Sequence, residues 1–85
     1  MEKQKILIAD DSEMNRALLI DILEEQYDVA EAENGVKAIS LLSRHRTDYS
    51  LLLLDIMMPE MDGFEVLAYI NKYHWNDTFA VIMIS

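Results

Sequence analysis

The sequence predicts an α/β fold built on a parallel sheet, and two observations carry that prediction. The first is a set of short, continuous apolar runs that stop at acidic residues, such as residues 6–9 of the segment 5–9 and residues 51–54. Such runs are typical of strands that are buried on both faces of a sheet. The second is their alternation with segments of helical periodicity, joined by only a few residues. This order requires right-handed crossovers and therefore parallel strands.

The other two strands rest on weaker signals. Residues 27–32 are predicted as a strand mainly from their position and from the Asn34-Gly35 turn signal that follows them. Residues 79–84 are rich in valine and isoleucine, which favour strands. Four strands are therefore expected.

Three helices are predicted between the strands. Ser12 is a suitable N-cap for the first, the second spans residues 36–44, and the third spans residues 64–73 after an irregular loop. The side chains expected to face the core are Leu18, Leu19, Ile22 and Leu23 in the first helix, Val36, Ile39 and Leu42 in the second, and Leu67 and Ile70 in the third.

Charge and composition exclude several function classes. Acidic side chains outnumber basic ones 16 to 7, a net charge of -9, so neither nucleic acid nor an anionic membrane surface is an expected partner. The absence of cysteine excludes disulfides and thiolate metal sites and fits a cytoplasmic location. No apolar stretch approaches the ~20 residues that span a bilayer. The 85 residues are expected to form one small soluble domain.

Polar side chains follow three of the predicted strands. Asp10 and Asp11 follow the first, Asp55 the third and Ser85 the fourth. Ligands of open parallel sheets bind beyond the carboxyl ends of the strands. If the first and third strands are neighbours, the three carboxylates converge, and a bound cation would relieve their repulsion. Oxygen ligands of this kind select Mg²⁺, or Mn²⁺, over zinc.

Asp55 is the candidate nucleophile of this site because it ends the most apolar strand, where packing can fix its position. A carboxylate can attack phosphorus in line and form an acyl phosphate when a metal and hydrogen-bond donors neutralise the phosphoryl oxygens. Ser85 is a candidate for one such donor. An isolated Asp-Asp pair is more often a solvated turn, but three acids and a hydroxyl at three strand ends favour a site.

The same residues resemble those of a known family. Asp10-Asp11 after the first strand, the segment Asp-Ile-Met-Met-Pro-Glu-Met-Asp-Gly at 55–63 and Ser85 after the fourth strand closely resemble a response-regulator receiver domain. Supporting matches are Asn15-Arg16, Glu33-Asn34-Gly35 and Ala38. The resemblance implies a flavodoxin-like three-layer sandwich, in which the four strands of this chain would have the order 2-1-3-4.

The resemblance also implies a function for each of these residues. Asp55 would be the phosphoacceptor and Ser85 the switch hydroxyl, while Asp10, Asp11, Asp55 and the backbone carbonyl of Met57 would hold the metal. The domain would act in a two-component phosphorelay rather than as an enzyme. Its phosphoryl donor would be a phosphohistidine on a sensor histidine kinase or a phosphotransfer protein.

A receiver normally continues beyond the fourth strand with a helix, a fifth strand near an essential lysine, and a last helix. Residues 1–85 contain none of these, so the sequence is predicted to be a receiver that is incomplete at its carboxyl end and impaired in phosphorylation. Lys3, Lys5, Lys37 and Lys72 are not placed to replace that lysine. Self-association is expected through the unpaired, apolar fourth strand or through an uncovered face of the sheet.

Two other functions stay open on the residues alone. An aspartyl phosphatase would normally carry Asp-x-Asp after the first strand, a spacing that Asp10-Asp11-Ser12 lacks. A receiver-like module used only for docking, without phosphorylation, would have no need of the acids and Ser85. The methionines at 57, 58 and 61 are predicted to fill gaps in an irregular loop rather than to bind a soft metal.

Overall fold

One parallel sheet of four strands, in the order β2-β1-β3-β4, forms the centre of the molecule. The structure is a computed structural model that describes residues 3–84. The strands are β1 (Lys5–Ala9), β2 (Asp28–Ala32), β3 (Leu51–Asp55) and β4 (Ala80–Ile84), and the helices are α1 (Glu13–Leu23), α2 (Gly35–His45) and α3 (Gly63–Lys72). The predicted α/β class, strand order and flavodoxin-like sandwich are confirmed.

The main core lies between the sheet and the helix pair α2 and α3. In β3, Leu52 and Leu54 are fully buried on this side, while Leu51 and Leu53, which point to the other side, are only partly buried. The fully buried side chains that meet them are Leu7 and Ala9 of β1, Ala38 and Leu42 of α2, and Val66 and Ile70 of α3. Removing one of the larger of these side chains would cost about 2 to 5 kcal/mol of stability.

The helix α1 packs differently from the prediction. None of its residues is buried, and Leu18 and Ile22 are 57% and 73% exposed, so their assignment to the core is wrong. Leu19 and Leu23 are partly buried, as is Ile20. The helix carries apolar residues on more than one side, and periodicity alone does not tell which side meets the sheet.

The second helix also turns slightly away from the predicted orientation. Val36, which was expected in the core, is 53% exposed, whereas Gly35, Ala38 and Leu42 are buried. Small residues at 35 and 38 let the helix backbone approach the neighbouring elements closely. Between residues 3 and 84, no helix has the length and apolar character needed to cross a membrane.

The two faces of the sheet are covered unequally. Val81 and Met83 of β4 pack against the core beside α3, whereas Ile82 points to the opposite face and is 50% exposed. On that opposite face α1 is the only helix among the described residues, and the strand that it mainly contacts is β2. An apolar strip along β3 and β4 therefore faces solvent in residues 3–84.

Candidate functional site

The register of the sheet brings three acidic residues together at one edge. Ala9 of β1 lies opposite Leu54 of β3, so Asp10 and Asp55, which come next in each strand, are neighbours. Asp10, Asp11 and Asp55 each offer one carboxylate oxygen, and these three oxygens lie within 4.8 Å of one another. The convergence expected from parallel strand ends is present in the structure.

Asp10 is held by three separate hydrogen bonds. Its backbone N–H donates to the carbonyl of Ala32 in β2 (3.1 Å), and its carboxylate accepts the N–H of Ser12 (2.9 Å). Its own carbonyl accepts a guanidinium N–H of Arg16 (2.6 Å). With only 3% of its surface exposed, Asp10 is fixed at the floor of the site, whereas Asp11 is exposed at its rim.

Ser12 connects this acidic pair to α1. Its hydroxyl oxygen accepts the backbone N–H of Asn15 (3.2 Å), which makes Ser12 the N-cap of the helix, as predicted from the sequence. The same residue therefore begins α1 through its side chain and orients the Asp10 carboxylate through its N–H.

Asp55 ends β3 and is 8% exposed. One of its carboxylate oxygens accepts the backbone N–H of Met57 at 3.3 Å. Gly63 packs directly against the backbone of Asp55, because a Cβ at position 63 would overlap its carbonyl oxygen and lie 2.8 Å from the Cα of Ile56. The N–H of Gly63 donates to the Ile56 carbonyl (2.8 Å), so the start of α3 is tied to the residues around Asp55.

The loop between Asp55 and α3 is constrained along its length. Glu60 has a positive φ of 67°, and the N–H of Met61 donates to the carbonyl of Pro59 (2.7 Å), which closes a tight turn. Asp62 then caps α3 in a reciprocal capping box with Glu65. The loop is thereby held at both ends.

The methionines of this loop divide into two groups. Met58 is buried and Met61 packs against the core, as the gap-filling prediction requires. The prediction is wrong for the Met57 side chain, which is 76% exposed, because the irregular backbone turns it away from the core.

The pKa of Asp55 is raised above the ordinary value for an aspartic acid. Burial of the carboxyl group is the largest cause, and the negative charges of Asp10 and Asp11, with a hydrogen bond to Asp10, act in the same direction. The N–H of Met57 opposes the shift by stabilising the carboxylate. Either a proton or a cation would relieve the repulsion among the three acids.

The donor set suits a small divalent cation. Mg²⁺ takes hard oxygen ligands and commonly keeps several waters, so two or three carboxylates would be enough to hold it. Three carboxylate oxygens within 4.8 Å of one another could bind one such ion together after rotation of their side chains, because each Mg–O bond is about 2.1 Å long. The residues present therefore fit a magnesium site built from Asp10, Asp11 and Asp55.

Two further residues of the expected site are Ser85 and Arg16. Ser85 lies outside residues 3–84, so its role as the switch hydroxyl stays a prediction. Arg16 was expected only as a family match, yet its guanidinium contacts the Asp10 carbonyl directly. The signal that locates Arg16 is its position one helical turn after the N-cap Ser12, but its contact with the strand end depends on how α1 docks.

No lysine between residues 3 and 84 forms an ion pair with the three aspartates. The ammonium groups of Lys5 and Lys72 lie over the rings of Tyr49 and Tyr73, and that of Lys3 donates to the carbonyl of Glu24. The expectation that these three lysines do not serve the site agrees with their contacts.

Comparison with known proteins identifies the family. The model of the response regulator receiver domain matches residues 6–85. The chain is 45% identical over 74 residues to the chemotaxis protein CheY of Halobacterium salinarum, an alignment that covers 86% of this chain and 59% of that protein. It is 40% identical over 70 residues to the transcriptional regulatory protein SrrA of Staphylococcus aureus, which covers 81% of this chain and 28% of that protein. The chain thus spans about three fifths of its CheY relative and less of SrrA.

Solved structures agree with this assignment. The CheX-CheY-BeF3-Mg complex from Borrelia burgdorferi matches with a TM-score of 0.89 and 31% identity, covering 99% of this chain and 63% of that one. A CheY-like receiver domain from Methanospirillum hungatei matches with a TM-score of 0.86 and 30% identity, covering 96% and 64%. From its fold, its acidic site and these matches, the chain belongs to the response regulator receiver domain family of two-component signalling.

Proposed function

We propose that this receiver domain accepts a phosphoryl group on Asp55 with the help of a divalent cation, Mg²⁺ or Mn²⁺, held by Asp10, Asp11 and Asp55. The observation that carries the proposal is the approach of the three carboxylates to within 4.8 Å at the carboxyl ends of β1 and β3. Three like charges so close together favour a bound cation. The presence of Mg in the complex of the Borrelia relative supports magnesium.

The three acids have different surroundings, and these favour Asp55 as the nucleophile. Asp10 is nearly inaccessible and its carboxylate accepts the N–H of Ser12, while Asp11 is exposed where α1 begins. Asp55 is held at the end of a buried strand, where the Met57 N–H orients its carboxylate from one side. A fixed nucleophile reaches an in-line geometry with little loss of entropy.

The proposed reaction is a transfer from a phosphohistidine. An electron pair of a carboxylate oxygen of Asp55 forms the O–P bond of an acyl phosphate as the P–N bond breaks, and the electron pair of that bond returns to the imidazole. A bound cation would supply positive charge for the phosphoryl oxygens. We assign the fourth protein ligand to the Met57 carbonyl and one hydrogen-bond donor to the Ser85 hydroxyl.

The donor is proposed to be a sensor histidine kinase or a phosphotransfer protein that docks on α1. Three apolar side chains at a spacing of four residues, Met14, Leu18 and Ile22, are 74%, 57% and 73% exposed. They form a stripe along a helix that starts beside the acidic site. An exposed stripe of this kind fits a helical partner that packs along α1.

Phosphorylation is tested with a small-molecule phosphodonor and Mg²⁺, followed by intact-mass measurement. The wild-type chain is expected to gain one phosphoryl group slowly, because no lysine of residues 3–84 pairs with the site. Asp55→Asn is expected to gain none, and Asp77→Asn, a change at an exposed aspartate near the start of β4, should behave as wild type. Equal labelling of Asp55→Asn and wild type would refute the site, and rapid labelling of wild type would refute the impairment.

The 85-residue chain is also proposed to associate with a second copy of itself. The association would occur through edge pairing of β4, domain swapping or burial of the apolar strip along β3 and β4. In residues 3–84, β4 is an outer strand without any charged residue, and natural edge strands commonly use charge to prevent pairing. Light scattering is expected to give a mass above that of a monomer. Ile82→Lys should shift the mass toward the monomer, whereas Val36→Lys, at an equally exposed position on α2, should not. A monomeric wild-type chain would contradict the proposal.

A further inference from the structure

Arg16 lies on the side of α1 that faces the sheet, and its side chain is only 12% exposed. Its guanidinium contacts two different elements at once. Nε lies 2.9 Å from a carboxylate oxygen of Glu31 in β2, and a terminal N–H donates to the Asp10 carbonyl at 2.6 Å. Arg16 therefore links the helix, the second strand and the end of β1.

The contact with the Asp10 carbonyl has a consequence for two of the three acids. The peptide unit that contains this carbonyl is planar and extends to the N–H and Cα of Asp11. Arg16 holds that unit from one side, and the bond from the Asp10 N–H to Ala32 holds the preceding unit. Arg16 therefore helps to set the directions in which the side chains of Asp10 and Asp11 leave the backbone.

The positive charge of Arg16 would by itself weaken the binding of a cation to the aspartates. A positive group beside a cation site weakens cation binding by Coulomb repulsion, although its pairing with Glu31 reduces this effect. A gain in metal affinity from Arg16 must therefore come from geometry. A positioning role therefore predicts weaker Mg²⁺ binding when Arg16 is replaced, whereas an electrostatic role predicts tighter binding.

We propose that Arg16 is a positioning residue for the metal site: by fixing the peptide between Asp10 and Asp11, it orients both carboxylates toward a shared cation. The inference rests on the proposed function, since it requires that the three aspartates bind Mg²⁺. Partners that orient metal ligands typically change metal affinity about 10- to 100-fold when they are removed. We expect a change in the lower part of that range.

Isothermal titration with MgCl₂ tests the proposal on the 85-residue chain. Arg16→Met, which keeps the length of the side chain but removes its donors, is expected to bind Mg²⁺ about 10-fold more weakly than wild type. Arg16→Lys keeps the charge but cannot hold two partners in the geometry of a guanidinium, and is expected to bind at least about 3-fold more weakly. Arg44→Met changes the charge equally on the exposed part of α2 and should bind as wild type does.

Metal-free urea unfolding of each variant separates affinity from stability. If Arg16 served only to hold α1 on the sheet, its variants would unfold more easily but, while folded, would bind Mg²⁺ with unchanged affinity. If its charge dominated, Arg16→Met would bind more tightly. Either result would overturn the inference. If Arg16→Met does not fold, the affinity of Arg16→Lys decides, and an unchanged value overturns the proposal.

Failure of the proposed function would give a different result from failure of the inference about Arg16. A wild-type chain that shows no saturable Mg²⁺ binding would overturn both the proposed function and this inference. A wild-type chain that binds, together with an Arg16→Met variant that binds equally well, would overturn the inference alone.

Discussion

Replacing Asp55 with asparagine is expected to make the protein more stable at neutral pH while it removes Mg²⁺ binding. The pKa of Asp55 is raised by its burial and by the charges of Asp10 and Asp11, so its ionised form destabilises the folded chain. An amide of the same shape removes that charge. Replacement of an unfavourable group at a functional site commonly adds about 1 kcal/mol to the free energy of unfolding. This raises Tm by about 4 to 8 °C for a domain of this size.

The pH dependence of this effect follows from the direction of the pKa shift. Because the folded state binds the Asp55 proton more tightly than the unfolded state, the contribution of Asp55 to stability falls as pH rises from the ordinary pKa of about 3.9 to the raised value. Below that window wild type and Asp55→Asn should have similar free energies of unfolding, and above it the variant should be more stable. Urea unfolding at a series of pH values measures the difference.

Asp77→Asn serves as the control for removing one negative charge, because Asp77 is exposed near the start of β4. It should not reproduce the pH-dependent gain. Added MgCl₂ should stabilise wild type by mass action but leave Asp55→Asn unchanged. A constant difference between wild type and Asp55→Asn at all pH values would contradict a role for the raised pKa.

Replacing Gly63 with alanine is expected to cost about 2 to 3 kcal/mol of stability. Gly63 is the first residue of α3, where helix propensity alone would favour alanine by up to about 1 kcal/mol. The added Cβ, however, would overlap the Asp55 carbonyl and approach the Cα of Ile56 to 2.8 Å. Backbone atoms at a strand end cannot move aside cheaply, so the packing cost should exceed the gain in propensity.

Thermal unfolding followed by circular dichroism measures the effect of Gly63→Ala, which should lower Tm by about 8 °C or more. Ser43→Ala, at an exposed position of α2, introduces the same side chain without a clash and should change stability by no more than about 0.5 kcal/mol. Because Gly63 touches the backbone of Asp55, the folded fraction of Gly63→Ala should also bind Mg²⁺ more weakly. An increase in Tm would show that propensity outweighs packing.

Much of the fold follows from local sequence. The runs 5–9 and 51–54 predict β1 and β3 to within one residue, because a short apolar run that stops at an acidic residue is typical of a strand in a parallel sheet. Ser12 predicts the start of α1, because its hydroxyl oxygen accepts a hydrogen bond from the N–H of Asn15 in the first turn of that helix. The convergence of Asp10 and Asp55 is likewise predictable, since residues that follow neighbouring parallel strands lie at the same edge of the sheet.

The orientation of α1 does not follow from local sequence. Leu18 and Leu19 are adjacent and equally apolar, yet one is mostly exposed and the other partly buried. Periodicity defines the helix and its apolar sides, but the side that meets the sheet depends on the strands beneath it. The exposed stripe of Met14, Leu18 and Ile22 is therefore visible only in the folded structure.

The sequence by itself determined the α/β class and the acids that form the site, because these depend on residues next to one another along the chain and on the topology of parallel strands. The strand order was expected only from the resemblance to receiver domains. Only the tertiary structure decided how those acids are held. The contacts of Arg16 with Asp10 and Glu31, and of Gly63 with Asp55, join residues from separate elements. Such contacts depend on how the helices dock, and helix docking is set by the packing of the whole core.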